Sequence, residues 1–532
     1  MTSRKPRCNV NSDSQSRAPG RWAAAAGVVA VTAGVVLGEL VAALVSPSLS
    51  PVTAVGGAVI DAVPPAVKEW AIALFGTADK VALLTGMGLA IAALAALAGV
   101  VEWRRRFAGF AVIAVFGVVG LLAVLSRAQV TGNAIPLPLL AAGTGILVLR
   151  WLILRLRDWG RDPAGPDAPQ AGAAAGTERR RFLQALGGGA VVAMVGGVLA
   201  AALRGAAAGV SELRSKLSLP SPASAAPPVP AGAEIRLSGM DPLVTPNQDF
   251  YRIDTALTVP AVDPDSWVLR VTGLVEREIE LDFATLLAKP MIERHMTIAC
   301  VSNEVGGDLI GNALWLGWPV RELLAMAGPK TGADMVLSRS KDGWTAGTPL
   351  EVLTDDRDAL IAVGMNGEPL PLEHGFPVRL IVPGLYGYVS ATKWLTELKV
   401  TRFADDVGYW TPRGWTDRGP IKTSSRIDVP RAGRSVRAGS VAFGGVAWAQ
   451  HTGISKVELR VNRGPWQAAA LAPGISRDTW YQWQLSLPLT TGQYEIQVRA
   501  TDLKGQPQVE ERSPVAPDGA TGFHTIRVDV TP

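Results

Sequence analysis

The first 210 residues contain five apolar stretches, each long enough to cross a lipid bilayer as a helix. A helix needs about 20 apolar residues to span the hydrocarbon core. Ala, Val, Leu and Gly dominate the stretches, which are residues 22–45, 81–101, 107–125, 137–154 and 182–203. Core helices of soluble proteins seldom run so long without charge. The sequence therefore predicts a transmembrane region over residues 1–210, followed by a soluble part.

Lys and Arg cluster in the amino-terminal tail and in the loops after the second and fourth stretches. Short loops rich in these residues stay in the cytoplasm. The clustered residues are Arg4, Lys5, Arg7, Arg17, Arg21, Arg104, Arg105, Arg106, Arg155, Arg157, Arg161, Arg179, Arg180 and Arg181. With the amino terminus inside, five crossings put everything after about Arg204 on the outer side of a bacterial cytoplasmic membrane, so membrane lipid is an expected partner.

Three other segments near the membrane have distinct predictions. Residues 64–75 are too short to span and predict an interfacial helix. Glu39 is an acid well inside a span; its position near the outer end favours a solvated or interfacial carboxylate over a proton or quinone site. Residues 211–234 are rich in Ser, Pro and Ala, which predicts a partly extended linker.

Composition excludes several classes of function. The formal net charge is only +5, and basic residues gather beside the apolar stretches, so nucleic acid is not an expected partner. Cys8 and Cys300 give no disulfide framework and lie on opposite sides of the membrane in the predicted topology. All histidines follow residue 290, so a membrane haem held by two histidines is not expected in this chain.

The soluble part divides into two patterns. Residues 235–408 mix short strands, such as residues 266–272, with short helices and show no regular strand-helix alternation, which predicts an α+β domain. Residues 409–532 show short strands separated by turns and predict an immunoglobulin-like β-sandwich without a cysteine pair. Four tryptophans are expected in its core and on one flank: Trp448, Trp466, Trp480 and Trp483.

Cys300 follows an apolar strand and precedes a loop with Asn303 and two glycines. A lone cysteine at such a place is usually a buried small hydrophobic residue. A thiolate can also bind a high-valent metal, and glycines let the backbone approach a bulky cofactor. Neither the ligand spacing of a zinc site nor the base of a thiol hydrolase accompanies Cys300.

Several segments resemble the sulfite oxidase family of molybdenum enzymes. They are Phe-Tyr-Arg at 250–252, the Cys300 segment with Trp-Leu-Gly-Trp-Pro-Val-Arg-Glu-Leu-Leu at 315–324, and the block 365–384 followed by Lys-Trp-Leu at 393–395. The resemblance covers the chain from about Pro242 to its end, because the β-sandwich is similar to that family's dimerisation domain. It implies a molybdopterin-bound molybdenum and a homodimer through the C-terminal domain.

The resemblance also implies roles for individual residues. Cys300 would be the thiolate ligand of molybdenum. Tyr251 and Arg252 would border cofactor and active pocket and are the candidates to meet the substrate. Residues implied to hold the pterin or its phosphate are His374, Arg379, Thr392 and Lys393, with Ser340 or Asp342 as a further pterin contact.

Each of these residues has a plainer interpretation. His374 could be a loop histidine, Arg379 a solvated strand residue and Lys393 a surface charge. Four tryptophans are expected as core or cavity wall: Trp315, Trp318, Trp344 and Trp394.

The chain also departs from the family's pattern. Acid and glycine follow Cys300 where sulfite-oxidising members place arginines, which argues against sulfite as the substrate. The haem domain of some members is absent from this sequence, so a separate electron-transfer partner or a quinone is expected. The resemblance implies two-electron oxygen-atom transfer on a small-molecule substrate, in either direction. The alternative is a membrane-tethered scaffolding module without cofactor.

The run Thr-Glu-Arg-Arg-Arg-Phe-Leu-Gln at 177–184 resembles an internal twin-arginine export signal. An ordinary positively charged anchor explains the same residues. A domain that receives a large cofactor in the cytoplasm must cross the membrane already folded, which favours the export signal.

Overall fold

The structure is a computed structural model that describes residues 18–45, 50–63, 79–125, 135–159, 171–204, 206–256 and 259–532. Two compact units divide the chain, Met1–Ala206 and Ala207–Pro532. The predicted interfacial helix at 64–75 and Cys8 lie outside the described residues.

Almost all described residues of the first unit are helical. Its helices are α1 (Ala18–Val45), α2 (Pro51–Ala62), α3 (Asp79–Arg104), α4 (Ala108–Leu125), α5 (Pro136–Trp159) and α6 (Ala171–Arg204). Within the described residues, five of them are long and apolar enough to cross a membrane: Gly20–Ala42, Ala82–Arg104, Ala108–Leu125, Pro136–Trp159 and Thr177–Leu199. Small residues let α1 and α3 approach closely, since a Cβ added at Gly27 would lie 2.0 Å from the Ala95 carbonyl oxygen.

Two buried carboxylates bind the starts of helices in this unit. Glu39 is 5% exposed and accepts hydrogen bonds from Ser50 Oγ at 2.8 Å and Val52 N at 3.1 Å, beside the first turn of α2. Glu102 accepts from the backbone N–H groups of Phe107 and Gly109 at the start of α4, both at 3.0 Å. The expectation of a solvated Glu39 is wrong, because α2, which the pattern did not predict, supplies donors that helix starts leave unpaired. An interfacial position for Glu39 stays a prediction.

The segment predicted as a linker, residues 211–234, differs in the structure. Helix α7 (Ala206–Lys216) covers its first part, and Arg214 donates to two backbone carbonyls of the following domain at 2.8 and 2.7 Å. Farther along, the Ser224 carbonyl accepts a hydrogen bond from Glu293 N at 2.9 Å. Because these backbone groups are paired, the segment lies on the domain surface instead of forming a free spacer.

The domain that follows contains two sheets and several short helices. Its elements are β1 (Val268–Gly273), β2 (Ile279–Asp282), α8 (Phe283–Leu287), β3 (Ile292–Ala299), β4 (Ile310–Pro319), α9 (Val320–Ala327), β5 (Met335–Ser340), β6 (Thr345–Pro349), α10 (Leu350–Thr354), β7 (Leu360–Met365), β8 (Glu368–Pro369), β9 (Arg379–Ile381), α11 (Gly387–Ser390) and β10 (Leu395–Thr401). One sheet has the order β2-β1-β10-β5-β6, with only β1 and β10 parallel. The other has the antiparallel order β3-β4-β7-β8, and β9 also pairs with β7.

The C-terminal region is β-rich. Its strands are β11 (Ser424–Val429), β12 (Ser435–Arg437), β13 (Gly439–Trp448), β14 (Ile454–Val461), β15 (Gln467–Ala468), β16 (Ala470–Leu471), β17 (Tyr481–Leu489), β18 (Gly492–Asp502) and β19 (His524–Thr531). They form the sheets β11-β13-β17-β16 and β12-β19-β18-β14-β15. Buried residues from both sheets share one apolar core, which includes Phe443, Trp483, Ile496 and Val528.

The tryptophans of this region do not all fill that core. Trp483 belongs to it, but Trp448 and Trp480 belong to the core of the preceding domain. The Trp480 indole donates to the Leu243 carbonyl at 2.8 Å. The expectation that all of them serve the sandwich is therefore wrong for these two, because the sequence pattern does not tell which neighbouring core a side chain enters.

Candidate functional site

A cavity with about 900 Å³ of empty space, part of it open to solvent, lies at the ends of β3 and β5 and beside β9 and α11. Six of the nine residues expected at the site line it: Tyr251, Cys300, Ser340, Asp342, Arg379 and Lys393. Residues more than 140 positions apart in the sequence thus meet around one space.

Cys300 is the residue immediately after β3, and it is free and 8% exposed. Its backbone N–H donates to the Leu309 carbonyl at 2.9 Å, which closes the loop to β4. The Ser302 backbone N–H lies 3.4 Å from Cys300 Sγ and donates to it. Burial raises the pKa of the Cys300 thiol. The Cys300 side chain therefore lines the cavity, and its sulfur already accepts a hydrogen bond from the backbone of its own loop.

Tyr251 and Arg252 are neighbours in sequence but have different surroundings. The Tyr251 ring stacks on Phe250 at 5.3 Å and faces the cavity, and burial raises the pKa of its hydroxyl. Arg252 is exposed, is not among the residues that line the cavity, and pairs with Asp254 at 2.9 Å. Of these two, only Tyr251 is brought to the cavity.

Arg379 and His374 are both buried, at 2% and 1% exposure. Arg379 Nη1 donates to the His374 carbonyl at 3.0 Å, and its Nη2 donates to the Ala391 carbonyl at 3.3 Å. Burial lowers the pKa of Arg379 to about 10, so the guanidinium stays charged at neutral pH. Burial, with the charges of Arg379 and Lys393, lowers the pKa of His374 to about 3, so its ring is neutral.

Two atoms of this pair have no hydrogen-bond partner among the described residues: Arg379 Nε and His374 Nδ1. Buried polar atoms in native proteins are nearly always paired, and leaving one unpaired costs about 1–3 kcal/mol. A solvated Arg379 and a surface loop for His374, the plainer interpretations, do not fit this burial. The orphaned Arg379 Nε–H fits a polar or anionic group that is bound beside it, whereas the neutral His374 ring donates from Nε2 to the Asn247 carbonyl at 3.1 Å and leaves Nδ1 as an acceptor.

Lys393 is 9% exposed and lines the same cavity. Its ammonium donates to Asp254 Oδ2 at 3.0 Å and to the Glu373 carbonyl at 2.9 Å. Burial lowers the pKa of Lys393 to about 8, although Asp254 opposes the shift. Gly375 makes the close approach possible: a Cβ there would lie 3.1 Å from Lys393 Cα, and its φ is +111°.

Ser340, Asp342 and Thr392 complete the expected set. Ser340 is 1% exposed, and burial raises the pKa of the Asp342 carboxyl despite hydrogen bonds that favour its charge. Both line the cavity. Thr392 is fully buried but does not line it, because its hydroxyl lies 2.7 Å from Ser338 Oγ. Thr392 therefore supports the wall, while His374 lies behind it.

Sequence reasoning missed several residues at the cavity, among them one carboxylate and three aromatic residues. Asp254 is the carboxylate partner of Lys393, and Tyr388, Trp410 and Trp415 form an aromatic wall. Of the tryptophans expected as core or wall, Trp344 and Trp394 line the cavity, and the other two are buried in the cores. Asp254 could have been found from the sequence, because it is an acidic residue two positions after Arg252. The aromatic wall had no such signal, since Trp410 and Trp415 come from the start of the predicted sandwich and Tyr388 from the preceding domain.

Comparisons with known proteins agree with this site. The family described as oxidoreductase molybdopterin binding domain matches residues 256–410. The uncharacterized oxidoreductase YuiH of Bacillus subtilis is 34% identical over 188 residues, which cover 35% of this chain and 91% of that protein. Human mitochondrial sulfite oxidase is 30% identical over 302 residues, covering 48% of this chain and 55% of the relative. The chain thus spans about half the length of the human relative.

Among solved structures, the sulfane dehydrogenase SoxCD from Paracoccus pantotrophus aligns with a TM-score of 0.48 at 23% identity, over 55% of this chain and 81% of the matched chain. The sequence matches are decisive, because YuiH is matched over nearly its whole length above 30% identity. The expected family is confirmed. The chain belongs to the sulfite oxidase family of molybdopterin-dependent oxidoreductases.

Proposed function

We propose that this chain is a membrane-anchored, extracytoplasmic enzyme that transfers an oxygen atom to or from a small substrate in a two-electron reaction. The observation that carries the proposal is the cavity in which a buried thiol faces two buried cations, one of which has an unpaired donor. A purely structural cluster would satisfy its donors within the protein. A cofactor that carries both a metal and a phosphate would use all three groups, because the Cys300 thiol can bind the metal and the Arg379 and Lys393 cations can bind the phosphate.

The residues present fit molybdopterin as the cofactor. Cys300 would bind the metal through sulfur. Arg379 and Lys393 would face the phosphate, because a dianion favours charged donors. The orphaned Nε–H of Arg379 would gain a partner, and His374 would support the wall from behind through its carbonyl, which accepts from Arg379. Ser340 and Asp342 would contact the pterin from the end of β5, and Thr392 would hold the wall in place.

The bound group would supply the two-electron redox chemistry, and the chain's own residues would prepare the site for it. Cys300 must lose its proton to bind a metal, so loading would release a proton from a thiol that burial keeps protonated. Tyr251 has a raised pKa and stays a neutral hydroxyl at physiological pH. It can therefore donate a hydrogen bond to a substrate oxygen inside the cavity.

The charges at the cavity favour an uncharged substrate over an oxyanion. Arg379 and Lys393 are the cations that line the described cavity, and both would be engaged by the phosphate. Arg252 does not line the cavity and is paired with Asp254, which does. The rest of the lining includes the Asp342 carboxyl and several aromatic rings, among them Tyr388 and Trp415, whose rings are 6.0 Å apart. Sulfite would find no unengaged cation there, in agreement with the acid and glycine that follow Cys300.

Elemental analysis of the purified full chain tests the cofactor proposal. We expect about one molybdenum per chain, with a sulfur ligand seen by X-ray absorption that is lost in Cys300→Ala and kept in Cys8→Ser, which removes the other cysteine. A chain free of molybdenum after expression with abundant molybdate, or an unchanged number of sulfur ligands in Cys300→Ala, would refute the proposal. Stopped-flow reduction and oxidation with sulfite, sulfoxides and N-oxides would then identify substrate and direction. Faster turnover of sulfite than of every uncharged compound would contradict the charge argument.

The proposed topology has the amino terminus in the cytoplasm and the second unit outside. It is supported by the five helices and by the position of Lys and Arg in the loops. The export signal would be Arg179–Arg181, which lie in the exposed first part of α6. Alkaline phosphatase fused after residue 532 should be active, and replacing the three arginines by lysine should block export. An inactive fusion would reverse the orientation.

The C-terminal region is proposed to be an immunoglobulin-like sandwich that mediates a homodimer. The two sheets around one core support the fold. Electrons would reach or leave the site through a separate protein or a quinone, and we propose no haem within the chain. Light scattering in detergent tests the dimer, and stopped-flow mixing with a reduced or oxidised quinone tests the partner.

A further inference from the structure

The loop that carries Cys300 contacts the C-terminal region at two points. Arg426 of β11 donates from Nη1 to the Gly307 carbonyl at 3.0 Å. His524, the first residue of β19, lies directly on Gly306, where an added Cβ would be 2.4 Å from the imidazole ring. Gly306 has a φ of +83° and no side chain, so the ring packs against the loop backbone itself.

Both contacting residues are themselves held firmly. Arg426 is 4% exposed and also donates from Nε to Asp428 at 2.5 Å and from Nη2 to Asp241. His524 Nδ1 accepts a hydrogen bond from the Ile427 backbone N–H at 3.0 Å. Neither side chain can follow the loop if the loop shifts, because each is fixed by partners outside it.

The loop transmits this restraint to the sulfur over a short path. Leu309 N donates to Asn303 Oδ1 at 2.9 Å, and Gly307 N donates to the Glu304 carbonyl at 2.9 Å. These bonds tie the anchored end of the loop to its beginning, where Ser302 N donates to Cys300 Sγ. Hydrogen bonds to a ligating sulfur change its electron density and the potential of its metal.

We propose that Arg426 and His524 are positioning residues, through which the C-terminal region sets the geometry and electronic character of the Cys300 ligand. The metal part of this proposal rests on the proposed function, whereas the restraint on the loop does not. The β-rich region would then contribute to the chemistry of the site as well as to any subunit contact.

Three variants of the full chain in detergent test the proposal. Arg426→Gln combined with Asp428→Asn removes the guanidinium without leaving an unpaired buried carboxylate. His524→Ala removes the ring and leaves the ion cluster intact, so it remains informative if the double variant does not fold. Arg460→Gln is the matched control, since Arg460 lies in the same region but bonds to Gln497 and Glu510.

Two readouts separate this proposal from the proposed function. In cofactor-free protein with Cys8→Ser, we expect Cys300 to react with a thiol reagent at least tenfold faster in the two test variants, and backbone amides 301–309 to exchange faster. In loaded protein, we expect a shifted Mo(V) electron paramagnetic resonance spectrum at an unchanged molybdenum content. Unchanged reactivity and exchange, or the same changes in Arg460→Gln, would overturn the proposal. Molybdenum-free wild-type protein would refute only the proposed function.

Discussion

Two buried arginines of the second unit, Arg379 and Arg426, have opposite surroundings. Arg426 donates from all three nitrogens, twice to carboxylates. Arg379 donates only to two backbone carbonyls among the described residues, and its Nε has no partner there. Burial lowers the pKa of Arg379 to about 10, whereas for Arg426 the effect of burial is outweighed by Asp428 and Asp241, and the pKa is raised.

The difference separates a structural charge from one that is available to a ligand. A buried charge with carboxylate partners is internally compensated, and removing either partner is strongly destabilising. A buried charge with an unpaired donor reduces the stability of the empty protein and recovers that free energy when an anion binds. Four predictions test this contrast.

Arg426→Met is expected to lower the free energy of unfolding by about 3–5 kcal/mol, because it leaves Asp428 buried without its counter-charge. Chemical denaturation of the full chain in detergent measures the change. Arg460→Met, at a half-buried arginine of the same region, serves as the control. A loss below about 1 kcal/mol would mean that Asp428 finds another partner and that the cluster is not compensated by Arg426.

Acid is expected to destabilise the second unit through His374 and His524. Burial lowers the pKa of His524 from 6.5 to about 4. As the pH falls, the His524 ring is therefore protonated in the unfolded chain before it is protonated in the folded protein. The stabilising contribution of the neutral ring is fully present above pH 6.5 and is lost as the pH falls through the folded-state pKa of about 4. One such group contributes on the order of 3 kcal/mol. Denaturation at a series of pH values should show a flatter profile for His524→Gln than for His451→Gln.

Arg379→Met is expected to separate stability from cofactor binding. The empty protein should lose less than about 1 kcal/mol or become more stable, because a charge with an unpaired donor is replaced by an apolar group of similar length. Cofactor should dissociate roughly ten to a hundred times faster, since charged hydrogen bonds contribute about 1.5–3 kcal/mol. Release of molybdenum over time measures the second effect. If Arg379→Met strongly destabilises the cofactor-free protein, Arg379 is a structural charge like Arg426, and the contrast between them is wrong.

Asp254→Asn is expected to have the smallest effect, a few-fold change that depends on pH. Asp254 opposes the lowering of the Lys393 pKa, which stands at about 8. Without the carboxylate this pKa falls further, so the ammonium is lost at a lower pH and attracts phosphate less. Cofactor release should therefore be faster than in wild type at pH 8.5 and closer to wild type at pH 6.5. Equal acceleration at both values would assign Asp254 a packing role instead.

Local pattern predicted much of this molecule. The short strands predicted within residues 409–532 appear, among them β13, β14, β17, β18 and β19, and the strand predicted at 266–272 appears within two residues as β1. Strand alternation and turn residues are properties of neighbours in the chain, so they can be read without knowing the fold. The site residues were likewise predicted from the family's sequence motifs, and six of the nine predicted residues line one cavity.

What escaped prediction depends on residues far apart in sequence. Lys393 meets Asp254 across 139 positions, and Arg426 meets Gly307 across 119. Glu39 finds its donors at the start of α2, a helix whose composition gave no signal. Trp448, the last residue of β13, and Trp480, the residue before β17, enter the neighbouring core, although both strands belong to the C-terminal sheets.

The sequence by itself determined which segments can cross a membrane and which cysteine has the surroundings of a metal ligand. Lipid selects long apolar helices by composition alone, and the Cys300 segment is continuous in the chain. Only the tertiary structure decided which buried donors are paired and which are left for a ligand. Hydrogen bonding of a buried side chain depends on whichever backbone and side chains the fold brings within about 3 Å, and sequence proximity does not fix that distance.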